Sequence, residues 1–256
     1  MKGSMTSLVA FGCSHTDPAN NLPRPWPERI GDITGWKIEN YGMSGASNEF
    51  IFRTTMKYLA QGHRPDYLIV QLTELKRFML PVRDRMETYW STPDLNFELW
   101  RSCRQTAKQR HPEFLPEQEM ALIYVWNIQQ MCAQLGVVCR FISFSDLSKI
   151  PDSPMWNHID RSSFLHENPH NGWLNHVWWK FGEPGIIQPP NPEDNPSWGR
   201  IRATNHMTDI AVDYTVECWL NYLETGKQIV IEEENYLEVH KMKPLVYRYT
   251  EEENNV

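Results

Sequence analysis

The sequence has no run of apolar residues approaching the ~20 needed to cross a bilayer, and no signal-peptide pattern at its start, so no membrane partner is expected. It has few cysteines and none in pairs. Cys13, Cys103, Cys132, Cys139 and Cys218 are scattered and odd in number, and no two form a Cys-x-x-Cys motif. That argues against a disulfide framework and against a structural zinc site, and it makes a reducing cytoplasm the expected compartment. A basic surplus is missing too. With 25 Lys and Arg against 32 Asp and Glu, the net charge of −7 argues against a general nucleic-acid binder. There is no internal repeat. What the 256 residues do contain is 41% hydrophobic side chains, enough for a sizeable core and for one α/β domain, with or without insertions.

Short apolar runs alternate with helical patterns. Residues 7–11, ended by Gly12, read as a buried strand entering a tight turn, and residues 36–41, 67–72 and 137–144 read as further strands. Residues 26–33 suit a short helix. A second helix is predicted over 48–61, capped by Ser47 and stopped by Gly62. The clearest helix covers 117–135, where Ala121, Tyr124, Val125, Ile128, Met131, Cys132 and Leu135 recur at helical spacing before Gly136. A last helix is expected over 209–224, with Thr208 as cap and Gly226 as stop. Residues 76–115 show no clear period. This alternation predicts a parallel sheet covered by helices on both faces, with ligands at the carboxyl ends of the strands. Ser14, Gly45 and Thr73 each fall just after a predicted strand.

Residues 1–5 read as a cloning scar, 6–226 as the main domain, and 227–256 as a small C-terminal extension with possible strands at 229–231, 236–240 and 245–249 and an acidic tail. Within the domain, residues 150–200 stand out as an insertion, holding eight of the 18 prolines, five of the 11 tryptophans and four of the nine histidines.

Four segments carry chemistry. Phe11-Gly12-Cys13-Ser14-His15-Thr16 places a serine on the first strand-to-turn junction, where its hydroxyl is held clear of the sheet; an ordinary turn serine is the alternative. Asn40-Tyr41-Gly42-Met43-Ser44-Gly45-Ala46-Ser47-Asn48 sets a glycine after the second strand, where a backbone N–H can approach a reacting carbonyl. Pro65 to Thr73 supplies a third strand and its exit. Thr204-Asn205-His206-Met207-Thr208-Asp209 sets a histidine just before the last helix. In order and position these segments resemble the blocks of the SGNH/GDSL hydrolases, in a divergent form similar to SGNH-like proteins encoded by tailed phages. The resemblance implies a three-layer α/β/α, flavodoxin-like fold. It also implies Ser14 as nucleophile, His206 as general base, and the N–H groups of Ser14 and Gly45 as oxyanion donors. Two family groups are missing. Thr73 and Glu74 stand where Gly-x-Asn-Asp is usual, and Ala203 and Thr204 stand where an Asp precedes the histidine. Asn48 is the candidate replacement for the absent oxyanion donor, the alternative being a plain helix start; Thr73 is a further supporting residue. Asp209 or a backbone carbonyl is the candidate for orienting the imidazole.

The implied activity is a Ser-His esterase acting on a small ester or acylated sugar, with acyl transfer to an alcohol as a close variant. No metal or organic cofactor is called for. The competing reading is a degenerate fold that binds without catalysis. His158, His166, His170 and His176 suit a histidine-rich loop better than a metal site, because Pro169 breaks the helix that would align two of them. Trp156, Trp173, Trp178, Trp179 and Trp198 fit either a sugar- or partner-binding surface or a small core within the insertion. Beside Ser14, Cys13 reads as a buried thiol. The oligomeric state is not fixed by the sequence.

Overall fold

A computed structural model describes residues 5–19, 24–73, 75, 77–82, 85–89, 116–144, 147, 153–167, 172–181, 186–187 and 206–230. Four strands, β1 (Ser7–Gly12), β2 (Lys37–Gly42), β3 (Tyr67–Leu72) and, later in the chain, β6 (Val138–Ser143), form one sheet in the order β2-β1-β3-β6. All of its pairs are parallel, with Gly12 opposite Gly42 and Val70 opposite both Phe11 and Phe141. Parallel neighbours need crossovers. Helices α1 (Trp26–Thr34), α2 (Asn48–Ala60) and α3 (Pro116–Leu135) supply them.

Side chains alternate across a strand, so β1 divides its residues between two cores. Val9 and Phe11 join Leu68, Val70 and Phe141 under α2 and α3, with Ile51, Leu59, Leu122 and Val125. Leu8 and Ala10 join Ile69 and Ile142 on the other face, against Trp26 and Ile30 of α1 and Val212, Val216 and Trp219 of a C-terminal helix. The architecture is a three-layer α/β/α sandwich. Ser47 caps α2 as expected, its hydroxyl accepting from the Phe50 N–H at 3.2 Å.

Four expectations need correction. Part of the segment read as aperiodic holds an antiparallel hairpin, β4 (Phe78–Val82) with β5 (Arg85–Tyr89). The 150–200 insertion contains helix α4 (Trp173–Phe181), and its described tryptophans do not form a core of their own. Trp156 packs in the first core and Trp173 in the second, because an indole gains more by joining a large apolar interior than by building a small one. Residues 229 and 230 of the strand expected at 229–231 are not in a regular strand: Ile229 makes one isolated bridge to His166, and Gln228 Nε2 donates to the carbonyls of Phe164 and Arg161 at 2.8 and 2.9 Å. This segment packs on its own chain. Thr208 does sit at the N-cap of the last helix, α5 (Asp209–Thr225), but without a side-chain capping bond. Residues 90–115, 188–205 and 231–256, with Trp198, His170 and the strands expected at 236–240 and 245–249, lie outside the described residues. Among the described residues, no helix is long and apolar enough to cross a membrane.

Candidate active site at the strand ends

β1 ends at Gly12, and the chain turns at once. The Cys13 carbonyl accepts from the N–H groups of Thr16 and Asp17 at 2.9 and 3.0 Å, closing a single tight turn with Ser14 at its crest. Gly12 and Gly42 make room for it. A Cβ on Gly12 would overlap the Thr16 hydroxyl, and one on Gly42 would lie 2.6 Å from the Asp17 nitrogen. Ser14 is partly exposed, its Oγ 4.0 Å from the Cys13 sulfur. Next to it, the His15 ring meets Phe144 edge-on at 4.6 Å, so the turn leans across β3 toward the end of β6.

A second turn follows β2. The Met43 N–H donates to the Gly12 carbonyl at 3.0 Å, which ties the two strand exits together. Gly45 has φ 80°, a left-handed conformation that favours glycine. The N–H groups on either side of it are engaged: Ser44 donates to Asp17 Oδ2 at 2.7 Å and Ala46 to the Met43 carbonyl at 3.0 Å.

Asn48 and Thr73 come together as a reciprocal pair. Asn48 Nδ2 donates to the Thr73 carbonyl at 3.1 Å, and the Thr73 N–H donates to Asn48 Oδ1 at 2.8 Å, both buried. The side chain thus fastens the end of β3 to the start of α2. A carboxamide nitrogen carries two hydrogens, so one donor remains beyond this clamp.

His206 has its backbone in β8 (His206–Met207), which pairs antiparallel with β7 (Ile186–Ile187); its imidazole lies outside the described atoms. The following helix locates that backbone. Asp209, in the first turn of α5, accepts from Arg29 near the start of α1, while Tyr222 near the far end lies under the Arg140 guanidinium early in β6, 5.4 Å from ring centroid to Cζ. The helix therefore runs antiparallel to the strands, its first turn at the carboxyl-end rim. Asp209 itself is 72% exposed and ion-paired with Arg29, which Asp213 also engages.

Sequence reasoning missed three polar residues here. Asp17 is buried and accepts from both the Ser44 and Ala19 N–H groups, pinning the second turn to the first. Gln71 is fully buried within β3 and bonds to the serine turn. Arg77, also buried, donates to the Ala46 carbonyl at 3.2 Å. Only Gln71 left a trace in the sequence, as the one carboxamide in an otherwise apolar and aromatic strand. Beneath the turn, Asn40 Nδ2 donates to the Thr16 carbonyl and to Glu28 at 2.5 and 2.7 Å. Burial raises the Glu28 carboxyl above its usual range, and the bond from Asn40 pulls against it.

The insertion histidines are dispersed. His158 is exposed, His166 is buried with its ring stacked on Trp173, and His176 Nε2 lies 2.9 Å from the Tyr214 hydroxyl. Among the described residues no three His, Cys, Asp or Glu side chains are grouped so as to hold a metal ion.

No family model matches the chain, and no curated protein does. Several solved structures do. A protein assigned to the lipolytic G-D-S-L family from Desulfitobacterium hafniense DCB-2 is 12% identical over 83% of this chain and 99% of its own, with a TM-score of 0.44. A psychrotrophic esterase from Pseudoalteromonas is 10% identical over 86% and 97%, TM-score 0.46. An acetyl xylan esterase from Geobacillus stearothermophilus is 14% identical over 89% and 97%, TM-score 0.41. With identities and TM-scores this low, the three-layer assignment stands on this chain's own strand order, register and two cores, and the likeness of its rim motifs to the SGNH/GDSL hydrolases remains a resemblance.

Proposed function

We propose that the protein is a divergent SGNH-type serine esterase, with Ser14 as nucleophile and His206 as general base. The observation that carries this reading is convergence at one rim. The Ser14 turn and the Gly45 turn are bonded to each other through Gly12, Met43, Asp17 and Ser44, and the chain returns to the same rim immediately after His206.

In the proposed reaction His206 takes the Ser14 proton as Oγ attacks the ester carbonyl, giving a tetrahedral oxyanion. The N–H groups of Ser14 and Gly45 donate to it, joined by the second Asn48 N–H. Collapse expels the alcohol, protonated by His206, and leaves an acyl-enzyme. Water then adds by the same route in reverse and releases the acid. Removing one such donor typically costs about 10²–10³-fold in rate.

For substrate we propose a short-chain ester of a carbohydrate hydroxyl. Met43, whose N–H bonds to the Gly12 carbonyl at the start of the serine turn, is exposed there and offers an apolar contact for a small acyl group. One observation favours the alternative of a binding protein without catalysis, namely that the Asp209 carboxylate is already paired with Arg29.

The test is turnover of p-nitrophenyl acetate and of acetylated sugars, with fluorophosphonate labelling, from about pH 6 to 9 where a histidine base is neutral. Labelling and turnover that vanish in Ser14→Ala support the esterase. An intact, folded protein that neither labels nor turns over across that range overturns it in favour of binding.

A further inference from the structure

We propose that Gln71 is the positioning residue of the nucleophile turn, its carboxamide fixing where the Ser14 hydroxyl points; this rests on the Ser14 reading above. β3 reads Tyr67-Leu68-Ile69-Val70-Gln71-Leu72 and is buried between its neighbours, so an aliphatic side chain would satisfy packing at position 71. A fully buried carboxamide there is costly unless its hydrogen bonds are made.

Both ends of this carboxamide are used, and both reach the same four-residue turn. Nε2 donates to the Cys13 sulfur at 2.9 Å, and Oε1 accepts from the Thr16 hydroxyl at 2.5 Å. Cys13 precedes Ser14, and Thr16 follows it by two. The amide has a donor end and an acceptor end, so its orientation dictates the roles of its partners: the sulfur must accept and the threonine must donate. Gly12 completes the fit, since a Cβ there would lie 2.9 Å from Gln71 Oε1 and overlap the Thr16 hydroxyl. The turn therefore holds two separate registrations. Asn40 ties it to β2 and Asp17 to the turn that follows β2, whereas Gln71 ties it to the central strand β3, on which the Thr73–Asn48 pair also depends. Gln71 touches no reacting atom in this scheme and acts through Cys13 and Thr16.

The test uses the whole chain. Gln71→Met keeps most of the volume and removes both bonds; Thr16→Val removes one with nearly unchanged shape, and Thr16→Ser returns the hydroxyl. A misplaced nucleophile lowers kcat and slows fluorophosphonate labelling by about 10- to 100-fold while KM moves by less than about twofold. Thr16→Ser recovers most of the rate lost in Thr16→Val, and the double variant Gln71→Met/Thr16→Val is much less than multiplicative because both changes break one network. If Gln71→Met does not fold, the Thr16→Val and Thr16→Ser pair decides alone. A folded Gln71→Met, or a Thr16→Val, with unchanged kcat and labelling rate overturns the proposal, as does a rate loss no greater than the fraction unfolded. An intact protein that labels and turns over leaves the esterase reading standing in that event. One that does neither removes both.

Discussion

The Asn48 side chain closes a two-bond ring with the backbone of Thr73, and both bonds are out of water. Removing it leaves a buried N–H and a buried carbonyl without their partners, each of which costs about 1–3 kcal/mol. A role confined to the oxyanion would leave stability nearly untouched. With the clamp in view, Asn48→Ala is expected to lower the urea midpoint substantially and at constant m-value, besides slowing turnover. Equilibrium unfolding followed beside esterase kinetics measures the two effects separately. A variant that is slow yet fully stable would show the Thr73 bonds to be dispensable.

At the level of elements, α1 and α5 are far apart in sequence and are joined across the second core by Arg29, which reaches Asp209 and Asp213. Both carboxylates are well exposed, so the network is screened and modest. Arg29→Met should cost roughly 0.5–1 kcal/mol at low salt, and the deficit should shrink as salt is raised. A deficit that does not change with salt would assign the loss to packing of the arginine stem instead. The helices and sheet strands themselves were legible because each carries a local signal. Ser47, Gly62, Gly136 and Gly226 punctuate helices, and β1, β3 and β6 are rich in apolar residues, whereas β2 mixes polar and apolar ones. Elements without such signals were hidden. Pro81 and the charges around Arg85 obscure the β4–β5 hairpin, and α4 lies among prolines, though Trp173 and Val177 at i and i+4 mark its buried face. The rim motifs gave the positions of Ser14 and Gly45. Asp17 was beyond reach, because its partner Ser44 is 27 residues away and nothing local to a loop aspartate announces such a bond.

For the molecule as a whole, acid is the sensitive direction. Burial, with His166 and Lys180 close by, pushes the His176 imidazole from its ordinary 6.5 down to about 4. In the unfolded chain this group takes up a proton below about pH 6.5, whereas in the folded protein it stays neutral until near 4, so the native state loses stability across that window and none above it. The slope for one such group approaches about 1.4 kcal/mol per pH unit. Urea denaturation at pH 7 and pH 5 should show a drop that is smaller by roughly 1–2 kcal/mol in His176→Phe. An identical drop in the variant would place the acid sensitivity elsewhere.

The two cores also close at different moments of the chain's synthesis. Among the described residues, every buried member of the first lies between Val9 and Phe164, so these partners are all present once the 3-10 turns after β6 have emerged. The second face draws on Trp26 and Ile30 from the beginning and on Val212, Val216, Trp219 and Tyr222 from α5. Chains leave the ribosome at about 5–20 residues per second and expose unfinished apolar surface as they do. A nascent chain of this protein thus carries a half-covered sheet for several seconds, with Leu8, Ala10, Ile69 and Ile142 still short of their last helix, and it is that face which a chaperone would meet.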